Sequence, residues 1–179
     1  MKTWSKTILS VYKYLEALSN SIDDLVYKKS INSAFYSNGR YNTCYDRANR
    51  IMQLTERKVN LINLKVIVDD TLQMMPLHQR QILALSYIDN AKNEDIAELM
   101  HISVRTFFRK KNEALQCFAK NLLLQGFNVE KLEMMFGGEY WLKNLYNRNQ
   151  QLEDSKEFRI SQYNKQRFFK SVLNEFNVS

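Results

Sequence analysis

Residues 96–118 read IAELMHISVRTFFRKKNEALQCF and carry the most structural information in the chain. Their pattern predicts a short helix, a tight turn at His101 and a second helix that begins after Ser103. Histidine tolerates a left-handed backbone better than branched residues do, so His101 is given a structural role in the turn. The Ser103 hydroxyl can accept a hydrogen bond from the backbone N–H of Thr106, which would cap the second helix. Two short helices joined in this way form a helix-turn-helix.

The second helix of this motif has two chemically different faces. At about 100° per residue, one sector is apolar and should pack on the preceding helices. It holds Val104, Phe107, Ala114, Leu115 and Phe118. The opposite sector is polar and cationic, and it holds Arg105, Arg109, Asn112 and Gln116, with Thr106, Lys110 and Glu113 beside them. This division is what a helix needs in order to enter a DNA groove.

The polar sector has the chemistry of DNA readout. Arginine bonds guanine through two hydrogen bonds, asparagine does so with adenine, and Lys110 is better placed for phosphate. Phe108 lies at the edge of the apolar sector, where it could touch a thymine methyl or pack on the helix after Pro76. Lys111 projects from the apolar face, either extending past the small core or pairing with Glu98. The candidate DNA-binding residues are Ser103, Arg105, Thr106, Phe108, Arg109, Lys110 and Asn112.

Composition supports a helical fold and an anionic partner. The 179 residues carry a net charge of +7, with only four glycines and one proline, which favours long helices over a turn-rich β fold. Cys44 and Cys117 are far apart and are expected to be reduced thiols. No signal peptide, membrane span, metal-binding spacing or cofactor motif is evident, so we expect a soluble cytoplasmic protein without cofactors.

The first third of the chain contains two long helical patterns. Apolar residues recur at helical spacing over residues 5–29, Asn38-Gly39 suggests a chain reversal, and a second pattern runs from Tyr41 towards Leu72. This predicts an antiparallel helical hairpin or a long helix with a helical partner. A seven-residue repeat follows the second pattern and suits either a coiled-coil dimer or closure of the hairpin within one chain. Its members are Tyr41, Tyr45, Ala48, Met52, Thr55, Val59, Ile62 and Val66.

The remaining segments complete an all-α prediction. Pro76 should lie in the first turn of a helix with Ile82, Leu85 and Ile88 inward. A turn with Asn90 in a left-handed conformation should follow, and Asn93 should cap the next helix. Beyond Gly126 we expect a short helix, a break at Gly137-Gly138 and two further helices. Their candidate core residues are Tyr140, Trp141, Leu145, Leu152, Phe168, Phe169, Val172 and Leu173.

Three segments are therefore predicted. A helical hairpin or coiled-coil arm occupies residues 1–74, a DNA-binding helix-turn-helix domain residues 75–122, and a helical C-terminal extension residues 123–179.

Residues 75–118 resemble region four of bacterial sigma factors. The likeness rests on Pro76, Gln79-Arg80, a Leu-rich run over residues 83–87, Ile96-Ala97, Ile102-Ser103 and Ala114-Leu115. A closer likeness is to sigma-like phage late-gene activators of the autolysin-regulator type, whose second helices also combine an aromatic pair, a basic cluster and Glu-Ala-Leu. No segment corresponding to sigma region two is apparent, so an autonomous sigma factor is not expected.

The resemblance implies roles for individual residues and for partners. Arg105, Phe108 and Arg109 align with base-reading positions, although sigma factors often have a basic residue where this chain has Phe108. Ser103, Thr106 and Lys110 align with backbone-contacting positions. The implied protein is a sequence-specific transcriptional regulator that binds double-stranded DNA, with RNA polymerase and a second copy of the chain as further candidate partners.

Other classes of function compete with a DNA-binding regulator. A region-four-like fold could instead bind RNA polymerase or another regulator without reading DNA, and the salt dependence of DNA binding would separate the two hypotheses. An enzyme is not predicted, because the adjacent acids Asp23-Asp24, Asp69-Asp70 and Glu94-Asp95 are explained by helix capping and solvated faces.

Overall fold

All regular structure in the described residues is helical. The computed structural model describes residues 1–35 and 44–154, and within these ranges the predicted all-α class is confirmed. A 3₁₀ turn, Tyr12–Tyr14, separates the first two helices, and a π-helical turn, Ala84–Ile88, follows the fourth. The α-helices are α1 Lys2–Val11, α2 Leu15–Phe35, α3 Cys44–Gln73, α4 Leu77–Leu83, α5 Asn93–Leu99, α6 Val104–Leu124, α7 Val129–Phe136 and α8 Tyr140–Asp154. The predicted reversal at Asn38-Gly39 and the predicted helix over residues 160–176 lie outside the described residues.

The first of two compact units contains the helix-turn-helix. It comprises Met1–Lys13 and the described residues from Lys65 onward. Helix α6 packs against α1, α4 and α5, and α1 also packs against α8. The ring of Trp4 lies 4.7 Å from that of Tyr146, and the Asn149 side-chain amide donates to the Thr7 hydroxyl at 3.0 Å. The N-terminal helix thus shares a core with the helix-turn-helix, while the divisions at residues 74 and 122 stay predictions about domains.

The second unit spans Tyr14–Leu64 in the described part of the chain. It contains α2 and the first part of α3, with Leu18, Ile22, Leu61 and Leu64 among its buried residues. The Lys58 ammonium donates to both carboxylate oxygens of Asp23 at 2.7 Å. This pair is partly exposed, so most of the stability of the unit comes from apolar burial.

The seven-residue repeat identified in the sequence forms a stripe on α3, and this stripe faces away from the core. Met52, Val59, Ile62 and Val66 are exposed, while buried apolar residues lie on the other side of the same helix. Those buried residues are Leu61, Leu64, Ile67, Val68 and Leu72. The alternative prediction, in which this stripe packs inside one chain and closes the helical hairpin, is therefore wrong for the described part of the chain.

The region after Pro76 departs from a regular α pattern. Pro76 is the N-cap of α4, one position before the first helical turn, and its carbonyl accepts from the Arg80 N–H at 3.0 Å. Ile82 is buried as predicted, but Ser86 and Tyr87 are buried where Leu85 and Ile88 were expected to be. The π turn is the cause, because its wider turn changes which side chains face the core.

The C-terminal helices partly follow the sequence prediction. Gly126 has φ +82 and ends α6 as expected, and the break at Gly137-Gly138 separates α7 from α8. Trp141 and Leu145 are buried, but Tyr140, the first residue of α8, is exposed. No helix among residues 1–35 and 44–154 combines the length and apolarity needed to cross a membrane.

Candidate nucleic-acid interface

The turn before α6 is built on a left-handed histidine. His101 has φ +53, as predicted. Its N–H donates to the Glu98 carbonyl at 2.9 Å, and the Ile102 N–H donates to the Ala97 carbonyl at 3.0 Å. These two bonds form the Schellman arrangement that satisfies the last carbonyls of a helix. Asn90 has φ +50 in the turn before α5, also as predicted.

Substitution at His101 should reveal this backbone requirement. A β-branched residue is strained in the left-handed region, whereas glycine is not. His101→Val should lower the free energy of unfolding by about 1–2 kcal/mol, and His101→Gly should leave it equal or higher. Denaturant unfolding followed by circular dichroism measures both changes. A valine variant as stable as the wild type would contradict the left-handed turn.

The start of α6 is fixed by Ser103. Its hydroxyl accepts the backbone N–H of Thr106 at 3.2 Å and lies 2.8 Å from the Thr106 hydroxyl. The predicted cap is thus confirmed, and such a cap contributes about 0.5–2 kcal/mol. Helix α5 begins differently. Lys92 is its N-cap and Asn93 is its first residue, so the predicted cap by Asn93 is wrong by one position. Glu94 and Asp95 lie in the first turn of α5, as expected.

One face of α6 is anchored in the core. Phe107, Ala114, Leu115 and Phe118 are buried, as the helical spacing predicted. Val104 is 39% exposed, so the prediction that it packs on the preceding helices with the rest of the apolar sector is wrong. Val104 is the first residue of the helix and lies at the edge of the packed region.

The other face of α6 carries the predicted DNA-binding residues. Arg105, Phe108, Arg109 and Asn112 are exposed, as is the capping Ser103. Thr106 and Lys110 are half-buried beside them. Gln116 is exposed on the same side of α6, one turn after Asn112, although it is not one of the candidate DNA-binding residues. The seven candidate residues therefore lie together at the N-terminal half of one helix, accessible from solvent.

Arg109 has only a weak internal contact. Its Nε lies 3.8 Å from a Glu113 carboxylate oxygen, and the side chains are 73% and 56% exposed. An ion pair this exposed is screened by solvent. A pair with the arginine four residues before the glutamate also stabilises a helix less than the reverse order. The guanidinium can therefore leave Glu113 for another anion at small cost.

Lys110 has a partner that the sequence did not predict. Its ammonium lies 3.2 Å from His78 Nε2, and His78 is an exposed residue of α4. His78 thereby places a second polar group beside the candidate interface. Lys110 and His78 are 32 positions apart in the chain, and a contact over that separation leaves no periodic signal in the sequence.

Lys111 links α5 and α6 instead of contributing to the outer face. Its ammonium donates to the Asn93 side-chain oxygen at 3.2 Å. It also lies 4.9 Å from the centre of the Tyr87 ring and 5.7 Å from that of Phe107. These aromatic faces attract a cation, which explains how a lysine is accommodated on the packed side of the helix.

The geometry defines a helix-turn-helix with an exposed cationic face on its second helix. Residues 65–117 match the family model described as sigma-70, region 4. This segment, fewer than a third of the 179 residues, is sigma region-four-like, and the matched family is a non-enzymatic DNA-binding and regulatory domain. Comparison with curated proteins and with solved structures found no match.

Proposed function

We propose that the chain is a sequence-specific DNA-binding transcriptional regulator that inserts α6 into the major groove. The observation that carries this proposal is the division of α6, whose N-terminal half exposes Arg105, Arg109 and Asn112 while its opposite face is buried. A helix held in this way can present fork-shaped and amide donors to base edges without losing its packing.

Each candidate residue has a role that its position supports. Arg105 and Arg109 would donate to guanine, Asn112 to adenine, and Phe108, which is 42% exposed, would contact a thymine methyl. Ser103, Thr106 and Lys110 would contact the sugar-phosphate backbone, which sets the position of the helix but carries no direct sequence information.

The charge at the start of α6 also favours an anionic partner. Acidic residues near a helix N-terminus stabilise the helix dipole, as in α5, but the first turn of α6 has none and contains Arg105. Helix stability alone would disfavour a cation there. A DNA phosphate nearby would compensate for the combined positive charge of Arg105 and the helix terminus.

Selection of bound DNA from a random pool tests the proposal directly. We expect one enriched sequence motif, and binding to it should weaken steeply as salt rises because several phosphates are neutralised. A mixed genomic DNA sample serves as the nonspecific control. No enrichment, together with no measurable DNA binding at low salt, would contradict the proposed function.

A second candidate function is a protein-interaction module that binds RNA polymerase or another regulator without DNA readout. It is favoured by apolar side chains exposed around the turn and the start of α6, namely Leu99 at 67%, Val104 and Phe108. Binding of purified RNA polymerase that persists after nuclease treatment, in a protein that fails the DNA selection, would favour this alternative.

Partners and location follow from the proposed role. We propose double-stranded DNA as the principal partner, RNA polymerase as a second one, and a homodimer formed through the N-terminal helices, because two helix-turn-helix units usually read two half-sites. We also propose that the protein is a phage-related regulator and that it is located in the cytoplasm.

A further inference from the structure

His78 and Lys110 form a contact between two helices at the side of the candidate interface. His78 is an exposed residue of α4, and Lys110 is half-buried in the N-terminal half of α6. The Lys110 ammonium lies 3.2 Å from His78 Nε2. Because α4 and α6 pack together, this contact holds a titratable ring beside a residue proposed to bind the DNA backbone.

The contact brings together two basic groups without an acid. In the part of the chain that the structure describes, neither group has a hydrogen bond or an ion pair with a carboxylate. The acid on the outer face of α6, Glu113, lies beside Arg109 instead. A pair of this kind suits an anionic ligand, and in the proposed complex the anion beside Lys110 is a DNA phosphate.

Protonation changes what such a pair can bond. Histidine is the side chain whose charge ordinarily changes between about pH 5 and 8. A protonated imidazole has N–H donors on both ring nitrogens, and a lysine ammonium also has donors only. The two cations then repel each other and need an acceptor between them. Phosphate oxygens supply that acceptor through charge-assisted hydrogen bonds, which are about twice as strong as neutral ones.

We propose that His78 binds a DNA phosphate together with Lys110 in its protonated form, so that DNA affinity rises as the pH falls. This inference rests on the DNA-binding function proposed above, and it adds a binding residue on α4 and a dependence on pH. The protonated ring contributes a second positive charge to the phosphate contact. The neutral ring contributes none, so the affinity is lower on the alkaline side.

The groups around His78 single out the histidine as the source of this dependence. The elements with the most extensive contacts to α4 are α6, from which Lys110 faces His78, and the π-helical turn that follows α4. That turn has no charged residue, and its one titratable side chain, Tyr87, is buried beside Lys111. On α4 itself the other charged residue is Arg80, which lies two positions later and about 200° around the helix.

Binding of the full-length protein to a duplex of mixed sequence tests the inference, because a phosphate contact does not depend on base sequence. Fluorescence anisotropy should give a dissociation constant about tenfold lower at about pH 6 than at about pH 8, the effect of one charge-assisted bond. The plot of log affinity against log salt concentration should also be steeper by about 0.9 at the lower pH, because one more phosphate is neutralised.

The chain has two histidines, and they supply matched variants. His78→Gln keeps a polar side chain that does not titrate, so its dissociation constant should be nearly the same at the two pH values. His78→Lys carries a positive charge without imidazole and should bind at the higher pH as tightly as the wild type does at the lower one. His101→Asn removes the other histidine, is compatible with the left-handed turn and should keep the wild-type pH dependence. Circular dichroism at both pH values should give wild-type helicity for every variant.

The outcomes separate this inference from the proposed function. Wild-type affinity that is equal at the two pH values would overturn the inference and leave DNA binding intact. A pH dependence that survives in His78→Gln, or that disappears in His101→Asn, would assign the proton to another group and overturn it as well. No binding to a mixed or a selected duplex at either pH would contradict the proposed function itself and this inference with it.

Discussion

Replacing Phe107 with alanine should lower the free energy of unfolding by about 3–5 kcal/mol, the usual cost of truncating a buried aromatic residue. Phe107 is completely buried on the packed face of α6. Its ring centre lies 5.7 Å from that of Phe108, and the Lys111 ammonium lies 5.7 Å from the same ring. The truncation removes apolar contacts and leaves a cavity, and it also weakens the environment that accommodates Lys111.

Phe108→Ala is the matched control for this prediction. It removes the same side chain from the next position, where the ring is 42% exposed. The expected cost in unfolding free energy is about 1 kcal/mol or less, since little buried surface is lost. Denaturant unfolding monitored by circular dichroism compares the two variants. Equal losses, or a larger loss for Phe108→Ala, would mean that α6 is rotated so that Phe107 does not face the core.

Replacing Arg109 with alanine should weaken binding to the selected DNA sequence by about 1–3 kcal/mol, roughly 5- to 150-fold, and should relax the base preference at one position. Arg109 is the exposed arginine at the middle of the candidate interface, and its contact with Glu113 is long and exposed. Its loss should therefore leave folding unchanged. Fluorescence anisotropy with the selected duplex and its single-base variants measures both effects.

Arg148→Ala controls for the loss of one positive charge. Arg148 is exposed on α8, so its removal changes the net charge equally without altering α6. We expect it to change affinity little and to leave base preference intact. If Arg109→Ala behaves like Arg148→Ala, Arg109 does not read bases, and its contribution is limited to general charge.

Local chemistry explains why the turn and the two faces of α6 were predictable. The left-handed residues Asn90 and His101 and the cap of Ser103 depend on side chains and backbone within a few positions. The buried Phe107 and Phe118 follow from helical spacing, which is equally local. The matched family segment, residues 65–117, contains all of these positions except Phe118, which follows its last residue.

Interactions between distant segments explain what the sequence did not reveal. The contact of Lys110 with His78 and that of Lys111 with Asn93 join separate helices, and neither creates a repeat. The π turn shifted burial to Ser86 and Tyr87 because a single widened turn changes the phase of all later positions. Helical spacing did identify the stripe on α3, but spacing alone could not distinguish an inward stripe from an outward one.

The separation of faces on α6 also has an evolutionary consequence. Side chains such as Arg105 and Asn112 have no part in the buried core, which depends on Phe107, Leu115 and Phe118. Exposed positions of this kind usually tolerate substitution within about 0.5 kcal/mol. If α6 reads DNA as proposed, related chains can acquire different DNA sequence preferences through mutations on the outer face while the buried scaffold stays the same.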